Sequence, residues 1–153
     1  MERIKSFYIS ETNDIRPELF NDYAESVAKC FASKKEFVKK DGSKGINRSG
    51  VTSTQLRRLF DEVKSYKRII KENNKKSWNE QYPYIKMIKA KTHYTIARAK
   101  KNDKKNSEYY DNVLTFISEG IDLIHTYQDY SVFVALFESV YGYYYENRPD
   151  NNN

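Results

Sequence analysis

The chain has 153 residues, 39% of them hydrophobic, and its 27 lysines and arginines outnumber 21 aspartates and glutamates to give a net charge of +6. That length suits one domain with a real core, and no apolar run approaches the ~20 residues that would cross a bilayer. The single cysteine, Cys30, excludes an internal disulfide and fits a reducing compartment.

Residues 1–16 show weak periodicity and are expected to form an irregular arm. The opening Met-Glu-Arg-Ile-Lys-Ser lacks the apolar core of a secretory signal, so a cytoplasmic location is expected. Pro17 suits the first turn of a helix, where its missing N–H has no partner to lose. Leu19, Phe20, Tyr23, Val27, Cys30, Phe31, Phe37 and Val38 then predict a first helix to about Lys40, weakest near Ser33, with an acidic outer face of Glu18, Asp22 and Glu25. Cys30 reads as a small core residue. Residues 41–50 hold three of the five glycines. We read 41–51 as a mobile loop carrying Lys44 and Arg48, and not as a phosphate-gripping loop, because no Gly-Lys-Ser/Thr closes it and no strand leads in.

Thr52 followed three residues later by Gln55 has the form of a capping box and predicts a helix from Ser53 to about residue 72. Leu56, Leu59, Phe60, Val63, the stem of Lys67 and Ile70 make its apolar stripe. Beside that stripe run Arg57, Lys64, Arg68 and Lys71. A third helix is expected over residues 78–101, with Pro83 in its first turn or at a kink. It carries Ile85, Ile88, Thr92, Ile96 and Ala99 on one face and Met87, Ala90, Tyr94 and Ala97 on another, the pattern of a central helix contacted from two sides. Lys86, Lys89, His93 and Lys100 share a third face, and Lys91 and Arg98 a fourth. After a lysine-rich link over residues 100–105 come helices over about 107–126 and 129–146, both acidic outside and suited to a basic protein surface. Residues 147–153 are expected to be a disordered tail. The fold class is therefore all-α, a compact bundle of about five helices forming one domain over residues 17–146.

Charge is segregated along the chain. Residues 34–105 contain 22 of the 27 basic residues and only 7 of the 21 acidic ones, which leaves that segment at +15 and the remainder at −9. Solubility alone does not call for such a split, whereas a surface facing a polyanion does. The candidate nucleic-acid contacts are Arg48, Arg57, Arg58, Lys64, Arg68, Lys86, Lys89, Lys91 and Arg98. Tyr66, Tyr82, Tyr84 and Tyr94 lie in the same region and have the chemistry to stack on bases, but we read them as half-buried fillers. His93 and His125 sit in different elements, too few and too scattered with Cys30 for a zinc site, and neither follows an arginine by five residues as in one all-helical ribonuclease pattern. No pair of carboxylates at helical spacing points into an apolar pocket. We read the chain as non-catalytic, without cofactor or small-molecule substrate.

With the basic helices placed, three ordered stretches resemble the small subunit of the type III-A CRISPR interference complex, the Csm effector. Val-Thr-Ser-Thr-Gln-Leu-Arg at 51–57 is similar to that family's apolar-Thr-Thr/Ser-Ser/Thr-x-Leu/Ile-Arg helix start. Tyr94-Thr-Ile-Ala-Arg98 is similar to its Tyr-x-x-Ala/Gly-Arg, and residues 133–145, with Glu138, Val140, Tyr141 and Tyr144, resemble its closing helix. The first 40 residues, the 41–50 segment and the lysine-rich link depart from the family's usual form. The resemblance implies a small helical bundle, non-catalytic, stacked in several copies as a filament inside a ribonucleoprotein. It also implies contact with the backbone of guide RNA and target RNA and with the other subunits. Arg57 and Arg98 carry over by motif; the other cations rest on charge and helical geometry. Two other classes stay open: a free-standing helical nucleic-acid-binding protein, for instance with residues 34–72 as a helix-turn-helix, and a structural adaptor whose basic face meets an acidic protein.

Overall fold

The computed structural model describes residues 1–150, and its chain begins with an arm pinned by the buried side chains of Ile4 and Phe7. The arm doubles back through a single β-bridge between Tyr8 and Ile15. Pro17–Phe20 forms one 3-10 turn with proline at its start, and α1 follows as Asp22–Ala28, burying Tyr23, Ala24, Val27 and Ala28.

Here the structure departs from the all-α expectation. The first helix ends at Ala28 instead of running to about Lys40, and the next segment is a β-hairpin made of β1 (Ala32–Val38) and β2 (Lys44–Gly50). These pair antiparallel, with Ala32 opposite Gly50 and Val38 opposite Lys44. The stretch read as a mobile loop is therefore a turn and an ordered strand. No first helix exists there for a helix-turn-helix over 34–72. The turn residues explain the hairpin: Gly42 sits at φ +85°, and the Asp41 carboxylate accepts bonds from the Ser43 amide at 2.9 Å and the Ser43 hydroxyl at 2.5 Å. These bonds, the hydroxyl first, hold the Asp41 carboxyl below its usual range. Asp-Gly between two runs of residues is a hairpin signal. Across the strands the Phe37 ring covers Gly45 so closely that any Cβ there would collide with it.

The helical remainder comprises α2 (Ser53–Lys64), α3 (Lys75–Asn102), α4 (Ser107–Asp122) and α5 (Tyr127–Asn147). Thr52 caps α2 by accepting from the Gln55 amide at 3.3 Å, and Asn74 caps α3 by accepting from Ser77 at 3.0 Å. Pro83 thus lies well inside α3 and not in its first turn. A full capping box of Thr126 and Asp129 opens α5. Phe31, Phe116, Phe133 and Phe137 form the centre of the core, with ring centroids 5.5–6.1 Å apart between neighbours. Gly120 allows the Phe133 ring to lie directly on the α4 backbone.

The central element is α5, which packs on α1, α2, α4 and β1. For α3 the expected burial holds on one face only. Ile85, Ile88, Thr92, Ile96 and Ala99 are buried, whereas Met87 and Tyr94 are 52% and 65% exposed, and Ala90 and Ala97 are exposed with them. A methionine, two alanines and a tyrosine at spacings of three and four look like a second core stripe in sequence, but nothing among the described residues covers it.

Candidate nucleic-acid interface

Two tyrosines of α5 fix the position of α2. Tyr144 donates its hydroxyl to the Val51 carbonyl just before the helix, at 2.5 Å, and Tyr130 donates to the Val63 carbonyl near its end, at 2.7 Å. With Leu56, Leu59 and Val63 buried against the bundle, the opposite side of α2 turns outward. It carries Arg57, Arg58, Lys64, Lys67 and Arg68, all exposed. Arg57, Arg58, Ser65 and Arg68, with Asp61 and Glu62 between them, line a shallow groove of about 570 Å³.

The end of α3 joins this surface. Arg58 faces Tyr94, Thr95 and Arg98 across a smaller cleft that also includes Gln55 and Asn102. The Arg98 guanidinium lies 5.6 Å from the centre of the Tyr94 ring, a cation–π contact that holds both side chains against α3. The amide oxygen of Gln55, which the capping-box reading would have turned back on Thr52, is instead buried in the cleft without a hydrogen-bond partner. Tyr94 belongs to the surface and not to the half-buried fillers. The signal for it was present as the four-residue spacing to Arg98, which puts both on one helix face.

The nine cations nominated from sequence divide sharply. Arg57, Arg58, Lys64, Arg68 and Arg98 share the α2 and α3 surface and form no ion pair among the described residues. Lys64 only leans on the Phe60 ring, 5.7 Å away. Lys91 bridges to Glu62 at 2.9 Å, a hydrogen bond that raises its pKa. Lys86 and Lys89 point to α4: the first caps the Ile121 carbonyl at 2.7 Å, and the second grips both oxygens of Asp122 at 2.9 Å. Burial lowers the Lys86 pKa, with Asp122 opposing the shift. Lys100 likewise meets Asp111 at 2.7 Å. The lysines of that third face of α3 are thus engaged by α4, while His93 on the same face is exposed. Arg48 stands apart, because its guanidinium donates to the carbonyls of Glu146 at 2.8 Å and Arg148 at 3.4 Å, tying the hairpin to the end of α5.

A family model for Csm2 of type III-A matches residues 34–148, three quarters of the chain. The chain belongs to the Csm2 family. It is a small subunit of the type III-A Csm complex, a CRISPR effector. The Csm2 match begins inside β1 and reaches just past α5, so the hairpin is largely within it, whereas the arm and α1 lie outside. Csm2 is a structural small-subunit family. No helix is long and apolar enough to cross a membrane among the described residues. Neither the curated proteins nor the solved structures gave a match.

Proposed function

We propose that this Csm2 chain is a non-catalytic subunit that holds the sugar–phosphate backbone of RNA, the guide and its target, on the outer face of α2 and the end of α3. The observation that carries the reading is the division of the cations. On α3, Lys89, Lys91 and Lys100 each meet a carboxylate and Lys86 a carbonyl, while Arg57, Arg58, Lys64, Arg68 and Arg98 stay without an ion pair among the described residues on one surface. Unpaired arginines in a row cost stability through mutual repulsion, and a phosphate partner removes that cost. A subunit serving any guide sequence must contact phosphates and not base edges.

Alone, the chain should bind RNA weakly, with a dissociation constant of roughly 10⁻⁴ to 10⁻⁶ M and steep salt dependence. Neighbouring contacts in the complex, and further copies along a filament, raise this by avidity. The uncovered stripe of Met87, Ala90, Tyr94 and Ala97 is suited to packing against one of those subunits.

The test is charge reversal. Arg57→Glu with Arg98→Glu is expected to abolish RNA binding of the purified chain while leaving its helical circular dichroism and its unfolding midpoint intact. Unchanged RNA affinity would overturn the assignment of this face.

A further inference from the structure

An open cleft of about 770 Å³ lies beyond the C-terminal end of α2, between the turn leading into α3 and the turn leading into α5, and none of the arginines of α2 lines it. Such a volume falls within the usual range of about 300–1,000 Å³ for small-ligand sites. We propose that this cleft takes one unpaired nucleotide of the RNA that runs along α2, with its base against Trp78 and Tyr127 and its phosphate at Lys71 and Lys75. The proposal rests on the reading of α2 as a backbone-binding face.

The wall is aromatic. Trp78 and Tyr127 are both half-buried and stand edge to face, 6.2 Å apart at 78°. Trp78 is further braced by Tyr82 at 5.1 Å, whose hydroxyl is fixed on the Ile124 carbonyl at 2.9 Å. Rings held so firmly can receive a base on one face without reordering.

Polar groups on the rim supply what a base edge and a phosphate need. The side-chain amides of Asn73, Asn79 and Gln128 line the cleft and make no hydrogen bond among the described residues. Each offers a donor and an acceptor, and the Glu72 carboxylate adds an acceptor for exocyclic amines. Asn73 adopts φ +59°, the conformation that folds the turn around the cleft. Lys71 and Lys75 are exposed at the mouth and form no ion pair among the described residues.

The cleft also continues the arginine track. Arg68 is shared by the two grooves that follow α2 outward, and Lys71 comes three residues later. A strand lying on Arg57, Lys64 and Arg68 is carried to the cleft by the chain direction itself. An unpaired nucleotide at that point finds an aromatic wall where a paired one finds only the lysines.

The chain has one tryptophan, so Trp78 reports on the cleft directly. The full chain would be titrated with a short poly(A) RNA and with an abasic ribose–phosphate strand of equal length, reading Trp78 emission and the anisotropy of the labelled strand. Poly(A) is expected to quench Trp78 and to bind roughly tenfold or more tighter than the abasic strand. Tyr127→Ala should remove the quench and the difference while abasic binding persists. Asn79→Ala alters only an exposed rim position and should weaken poly(A) selectively, whereas Lys75→Glu should weaken both strands; the former covers the case that Tyr127→Ala misfolds. Equal binding of the two strands with no quench would overturn the nucleotide site alone. Failure of both strands to bind would overturn the backbone-binding reading and this site with it.

Discussion

The Tyr144 hydroxyl donates to the Val51 carbonyl at 2.5 Å across 93 residues of chain. Val51 is the last residue before the Thr52 cap, so this bond fixes where α2 starts, and the matching bond from Tyr130 to Val63 fixes where it ends. Burial pushes both hydroxyls well above the ordinary tyrosine range, so they stay protonated donors. The arginines of α2 are displayed by a core helix that carries none of them. Tyr144→Phe leaves the shape unchanged but strands a buried carbonyl, which should cost about 1–3 kcal/mol. Urea unfolding should show a lower midpoint with an unchanged slope.

Alkaline pH should expose the same design. Tyr8, Tyr23, Tyr110, Tyr130 and Tyr144 all have raised pKa values, with burial the first cause in each. The folded state therefore keeps these protons after the unfolded chain has lost them near pH 10. Their contribution is complete below about pH 10 and is lost as pH rises further. The urea midpoint should hold to about pH 9 and then fall, with tyrosinate absorbance appearing together with unfolding. A double Tyr130→Phe, Tyr144→Phe variant should show a shallower fall.

Arg48 should be a structural residue. Its guanidinium satisfies carbonyls at the end of α5, where a cation also complements the helix dipole. Arg48→Ala is expected to lower stability by about 1 kcal/mol and to leave the slope of log affinity against log salt untouched. Arg57→Ala should do the reverse, reducing that slope by about one contact at little cost to the fold. Paired salt titrations of the two variants would decide the matter.

The helices were legible because α2 and α4 bury one clear stripe each, α5 is apolar over most of its circumference, and α2 and α5 open with side-chain caps that can be read at fixed offsets. The hairpin was not, because strand legibility comes from alternation and this ribbon has little to alternate. Ser33 and Ser49 meet Tyr109 at its base, but beyond them Lys35, Phe37, Val38 and Ile46 are all exposed. Only Asp41-Gly42 marked it, and its glycines were read as mobility. For the candidate site, charge and spacing nominated nine cations but could not tell a free lysine from a paired one. Lys86 and Lys89 look like Arg98 in sequence; what separates them is the position of the α4 terminus, which supplies the Ile121 carbonyl and Asp122.

Two helical glycines give opposite expectations from the same substitution. At Gly120, a buried position of α4, an added Cβ would run into the Phe133 ring, and that ring is held by Phe116 at 5.5 Å and Phe137 at 6.1 Å. The neighbour cannot give way without disturbing the centre of the core, so Gly120→Ala should destabilise by about 1–3 kcal/mol despite alanine's better helix propensity. At Gly142, exposed on α5, no atom lies within 4 Å of the new methyl group. There only the backbone entropy of the unfolded chain changes, and Gly142→Ala should stabilise by about 0.5–1 kcal/mol. Urea midpoints moving in opposite directions would establish that α4 lies against α5 as closely as described. If Gly120→Ala were neutral or stabilising, Phe133 would have to lie elsewhere, and with it the α5 face that holds α2.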